Sequence, residues 1–175
     1  MTMPDTPSAK VLVDMHEAMV KAGFCQSGDV ELDFIANMIP HHQGAVDSSK
    51  TLLKHSKNEQ IRQIAQNIIK DQEKEIAEFN EMIAKKSYTN TPVSDDDYKK
   101  FVEDEKKFMD SMMTKMNEVK PSDNIDKDFL TAMIEHHQGA VDVSKQILEY
   151  SKDEKIRQIA QNIIQAQEKE IAEFS

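Results

Sequence analysis

Met38-Ile39-Pro40-His41-His42-Gln43-Gly44-Ala45-Val46-Asp47 returns 95 residues further along the chain as Met133-Ile134-Glu135-His136-His137-Gln138-Gly139-Ala140-Val141-Asp142. The repeat is wider than these blocks. Residues 33–79 align with residues 128–174 without a gap, and 34 of the 47 pairs are identical, so the chain is a tandem duplication. A looser match lies upstream, where Met15-His16-Glu17-Ala18-Met19 precedes the first copy as Met112-Met113-Thr114-Lys115-Met116 precedes the second. Each unit therefore reads as three segments.

Periodicity makes those segments helices. Ile35, Ile39, His42, Val46, Ser49 and Leu53 recur at steps of three and four, as do Ile61, Ala65, Ile68, Gln72, Ile76 and Phe79, the spacing that lines up side chains on one helix face. Ser56 with Glu59, and Ser151 with Glu154, have the form of a capping box at a helix start, which predicts a tight turn between antiparallel helices. The expected helices cover about 9–22, 29–55, 58–86, 95–118, 124–150 and 153–174. A linker at 87–94, marked by Pro92 and followed by the Ser94-Asp95-Asp96-Asp97 cap, separates a first unit (1–86) from a second (95–175). The acidic run suits the positive end of a helix dipole.

Composition agrees. With 38% hydrophobic and 31% charged residues, 4 Gly and 5 Pro in 175 residues, the chain suits an all-α fold better than a turn-rich β-sandwich. A formal charge of −10 repels phosphate backbones and argues against nucleic acid as a partner. No apolar run approaches the roughly 20 residues of a membrane span. Cys25 is the only cysteine, which excludes an internal disulfide and a Cys-only metal site. Met1-Thr2-Met3-Pro4 lacks the basic and apolar stretches of a secretory signal.

The apolar stripes carry anomalies. His42 and Gln72, repeated as His137 and Gln167, stand at core positions, and buried polar groups need partners. Antiparallel counting sets 42 opposite 72. Met38 and His41 lie one turn away, and Met15, His16 and Met19 of the first helix are expected to converge on them. In the second unit Met109, Met112, Met113 and Met116 approach Met133, His136 and His137. Eight of the 11 Met and five of the 6 His thereby fall into two regions, one per unit, leaving Met1, Met3, Met82 and His55 outside.

Thioether sulfur is a soft, neutral donor suited to Cu(I) and Ag(I), and imidazole also holds Cu(II). Gln72 and Glu73, with Gln167 and Glu168, are placed to take the ring N–H that a metal-bound His leaves free. Imidazole binds metal only without its proton, so affinity is expected to fall below about pH 6.5. Pro40, matched by Glu135, predicts a bend in one unit only. A di-iron site would need Glu-x-x-His steps, yet Met38, Ile39, Met133 and Ile134 fill those places. No phosphate-binding loop or nucleophile elbow is present, so the chain reads as a binding protein rather than an enzyme.

Met38-Ile39-Pro40-His41-His42-Gln43-Gly44-Ala45 and its copy, each followed by Gln-Glu-Lys-Glu-Ile-Ala-Glu, closely resemble the domain-of-unknown-function 305 family over most of residues 10–175. The resemblance implies a ferritin-like helical bundle and, from some members, exported proteins that bind copper or silver. It implies metal sequestration in the periplasm or elsewhere outside the cytoplasm, any signal having been removed. The implied ligands are Met38, His41, His42, Met133, His136 and His137, with Met15, His16, Met19, Met112, Met113 and Met116 matching the upstream Met-rich helix. Ser48, Val143, Phe79 and Phe174 replace Met found in many members, lowering the sulfur count. The reading is therefore a copper-binding protein, Cu(I) favoured and Ag(I) or Cu(II) accommodated, that buffers metal or exchanges it with another protein. Two alternatives stay open: a helical interaction module with Met-rich faces, and a redox enzyme using bound copper.

Overall fold

The computed structural model describes residues 6–175; Met1 and Met3 lie outside them. Six helices follow one another: α1 (Pro7–Ala22), α2 (Val30–His55), α3 (Glu59–Lys85), α4 (Asp95–Glu118), α5 (Ile125–Tyr150) and α6 (Glu154–Phe174). Each lies within two residues of its sequence expectation. No helix among the described residues is long and apolar enough to cross a membrane.

The turns repeat as the sequence does, but the capping box does not form. Asn58 caps α3 by accepting the N–H groups of Gln60 and Ile61, and Asp153 caps α6 by accepting that of Ile156. Ser56 and Ser151 instead end α2 and α5, and their hydroxyls accept the N–H of Asn58 and Asp153. The turn is so short that each serine still belongs to the helix it closes. Arg62 and Arg157 then reach back and donate to the carbonyls of Ser56 and Ser151, at 3.0 and 2.9 Å, satisfying acceptors that a helix end leaves bare. At α4 the expected cap is present: Ser94 accepts from the Asp97 N–H at 3.1 Å.

The halves do not build separate cores. One cluster joins Phe34, Ile35, Met38 and Phe79 to Phe101, Val143, Ile147 and Ile159; the other joins Met15, Ala45, Leu52 and Ile68 to Met112, Phe129, Met133 and Phe174. The N-terminal half of α2 thus shares a core with the C-terminal half of α5, and the reverse holds at the other end. The two copies are antiparallel, related by a pseudo-twofold axis at the middle of α2 and α5. The linker is fastened to this core. Glu31, fully buried, accepts hydrogen bonds from Thr91 N–H (2.9 Å), the Thr91 hydroxyl (2.6 Å) and the Ser151 hydroxyl (2.6 Å).

Glycine sets how closely the outer helices sit. A Cβ on Gly44 would collide with the Met15 carbonyl oxygen on α1, and one on Gly139 would collide with the Met112 sulfur on α4. Both glycines are helical, where alanine ordinarily gains about 1 kcal/mol. Backbone cannot step aside, whereas a methionine side chain can. Gly44→Ala should therefore lose about 1–3 kcal/mol, and Gly139→Ala should be near neutral, when the two are compared by urea unfolding.

Candidate metal centre

The axis passes between two rings. His41 of α2 and His136 of α5, 1% and 0% exposed, stack with centroids 3.7 Å apart and planes inclined by 23°. His41 Nε2–H donates to the His136 backbone carbonyl at 2.8 Å. The adjacent residues point the other way along each helix pair. His42 Nε2–H donates to Glu75 Oε2 at 2.8 Å, and His137 Nε2–H donates to Glu170 Oε2 at 3.2 Å. A carboxylate on Nε2 fixes the tautomer that leaves Nδ1 with its lone pair free. Nδ1 of His41, His42 and His137 has no partner, nor has either ring nitrogen of His136. Five buried ring nitrogens are unmatched.

Thioethers surround these rings. Met38 and Met133 are buried one turn before His41 and His136. Met15 and Met112 pass over Gly44 and Gly139. Met19 of α1 meets Met109, Met112 and Met113 of α4 in an apolar groove beside Pro40, and α2 continues as a helix through that proline. Met116 joins Met15, Met112 and Met133 in one cluster. The expectation of two regions, one per unit, is thereby corrected: the duplicated motifs meet at the axis, and sulfur from α1 and α4 mingles. Residues lying on a twofold axis contact their own copies, which counting within one unit cannot anticipate.

Three further expectations change. His16 is set apart from the other imidazoles and lines a surface groove with Leu12, Met116 and Lys120. The contact at Gly44 registers Met15 six residues beyond Met38, and this turns His16 outward. Glu73 and Glu168 do not face the histidines; they are half-exposed and pair with Lys50 and Lys145 at 3.2 and 3.1 Å. Gln72 and Gln167 are buried, but their Oε1 atoms have no partner and neither bonds a histidine. The residues that take the ring N–H are Glu75 and Glu170, which sequence reading missed. They lie three residues beyond each Gln on the same helix face and match under the repeat, a signal that was legible.

Burial governs the charge of the central rings. Desolvation first, then neighbouring His42, holds His41 at about 3, against a weaker upward pull from its bond to the His136 carbonyl. His136 is likewise held well below its ordinary value by burial and by His41. The expected proton competition near pH 6.5 is therefore displaced downward at these two rings. Cys25, a loop thiol near Asp33 (3.6 Å), is pushed up to about 11 by burial and by that carboxylate. His55 is exposed at the end of α2.

Among the described residues no group of three His, Cys, Asp or Glu could hold a metal ion together. Unprotonated imidazole beside thioether is a donor set for soft ions.

Fold and site define a class: an all-α bundle of two duplicated three-helix units closed around buried histidines. The chain belongs to the family described as Domain of unknown function (DUF305), whose pattern matches residues 31–175. Solved structures share the fold. CopM in its Ag-bound form is 26% identical, with a TM-score of 0.60 over 82% of this chain and 90% of that one; CopM has also been solved in Cu(I)-bound and Cu(II)-bound forms. A DUF305 protein from Streptomyces coelicolor superposes with a TM-score of 0.65 at 21% identity, covering 85% of this chain and 89% of that one. An uncharacterized protein of Acanthamoeba polyphaga mimivirus is 44% identical over 50 residues, 29% of this chain. The match spans 33% of that relative's length.

Folded, His41 stays neutral down to about pH 3; unfolded, it takes a proton below about 6.5, so acidification favours the unfolded chain. Replacing it by Gln removes that linkage. Between pH 7.5 and 5 the stability of His41→Gln relative to wild type should shift in the variant's favour by about 2 kcal/mol, read from urea unfolding of metal-free protein at both pH values.

Proposed function

We propose that this protein binds Cu(I) and Ag(I) at the buried Met/His centre and acts as a metal-buffering or metal-exchanging protein rather than as an enzyme. One observation carries the reading: four buried imidazoles leave five ring nitrogens without hydrogen-bond partners in a region lined by thioethers. Burying polar nitrogen unmatched costs free energy, and a bound soft cation would recover it. The likeness to CopM, solved with silver and with copper, supports the same reading.

The chain's own groups define how such an ion would be received. His41 and His136 are held neutral, so an incoming ion displaces no proton from them. Glu75 and Glu170 orient His42 and His137 with Nδ1 free and strengthen them as donors. Met19 and Met113, half-exposed at the apolar groove, stand where an ion or a metal-exchanging partner would first meet sulfur. An extracytoplasmic setting, the expectation from family resemblance, is part of this proposal and is checked by cell fractionation.

Titration of Cu(I) against a chromophoric competitor tests the function. Wild-type protein should withdraw at least one tight equivalent. Met38→Leu combined with His41→Gln should weaken uptake tenfold or more while helical circular dichroism is retained. A wild-type protein that leaves the competitor fully loaded would show that the centre is ordinary core.

A further inference from the structure

Met38 and His41 of α2, Glu105 and Met109 of α4 and Val143 of α5 close on one small cavity, with Asn37 beside them. Its volume is about 10 Å³, the space of a single water or small ion. Glu105 is 2% exposed. Its carboxylate accepts one hydrogen bond, from Asn37 Nδ2–H at 3.2 Å. Burial first, then the Asp33 carboxylate, pushes its carboxyl up to about 8 against a weaker downward pull from the Asn37 amide, and no positive side chain offsets them. A carboxyl this deep is either held as the acid or paired with a cation, and a cation entering the cavity would displace its proton. Two methionines, Met38 and Met109, line the same cavity, as does His41, whose Nδ1 is unmatched.

The other half lacks this arrangement. Gly44 packs on Met15 as Gly139 packs on Met112, so α1 and α4 correspond at an offset of 112 − 15 = 97 residues. On that register Glu105 corresponds to Ser8 and Met109 to Leu12, while Val143 of α5 corresponds to Ser48 of α2. The second half therefore offers Met133 and His136 with no carboxylate and one thioether fewer.

Resting on the metal-binding function proposed above, we infer that Glu105 is the anionic ligand of a Cu(I) or Ag(I) site completed by Met38, Met109 and His41 Nδ1, a site the duplication built in one half only. Neutral nitrogen and sulfur donors leave a monovalent ion with its charge in a low-dielectric interior, and one carboxylate cancels that charge.

Silver titration by calorimetry on the full chain tests this, comparing wild type with Glu105→Gln and Met109→Leu. Wild type should show its tightest equivalent weakened tenfold or more in both variants. Glu105→Gln keeps the bond to Asn37 and replaces a carboxyl that folding must neutralise at pH 7 with a group that is already neutral, so the metal-free variant should unfold at a higher temperature than wild type. A structural role alone would not raise stability while lowering silver affinity. Wild-type silver binding with an unchanged isotherm for Glu105→Gln would overturn the assignment of Glu105 and leave the proposed function standing. Absence of silver binding by the wild type would overturn both.

Discussion

Four imidazoles are almost wholly buried, and their ring nitrogens have too few partners. An unmatched buried polar group costs about 1–3 kcal/mol, so five such nitrogens cost on the order of the whole stability of a small domain. Something must hold them there. The holding force is the antiparallel crossing of α2 and α5, whose apolar faces bury Phe34, Ile35, Leu52, Phe129, Val141 and Ile147 on either side of the rings. The rings sit at the crossing itself, where neither helix can turn them to solvent without opening both cores.

That constraint explains the rest of the site. His41 spends its Nε2–H on the His136 carbonyl, the one acceptor a stacked ring can reach across the axis. His42 and His137 lean outward to carboxylates at the edge of the bundle. α1 and α4 seal the crossing from the sides, and the close approach of α1 depends on Gly44 in α2. The sealing helices bring most of the methionine. A flexible, polarizable side chain suits an irregular seam, and the same sulfur atoms make the seam chemically suited to soft metal.

Duplication shapes the chemistry as well as the fold. Twofold pairing multiplies whatever lies on the axis, here imidazole, and leaves off-axis positions free to diverge. Pro40 and Glu135, His16 and Met113, and Ser8 and Glu105 are such pairs. Divergence at these positions gives the halves different donors and different charge around a common pair of stacked rings.

Much of this was legible along the chain. Helical periodicity is a local property, repeated every three or four residues, and it located all six helices to within two residues. The repeat identified the paired histidines with Met38 and Met133, because matching 34 of 47 positions singles out what both copies share. Register between helices was not legible: Met15 meets Gly44 rather than Met38, and His16 lines a surface groove instead of joining the other imidazoles. Nor was the stacking of His41 on His136, which depends on how the two copies pair. The sequence determined the elements and the donor set, since those follow from the order of residues. The tertiary structure decided which donors meet, since contacts across an axis depend on packing volumes that no stretch of the chain contains alone.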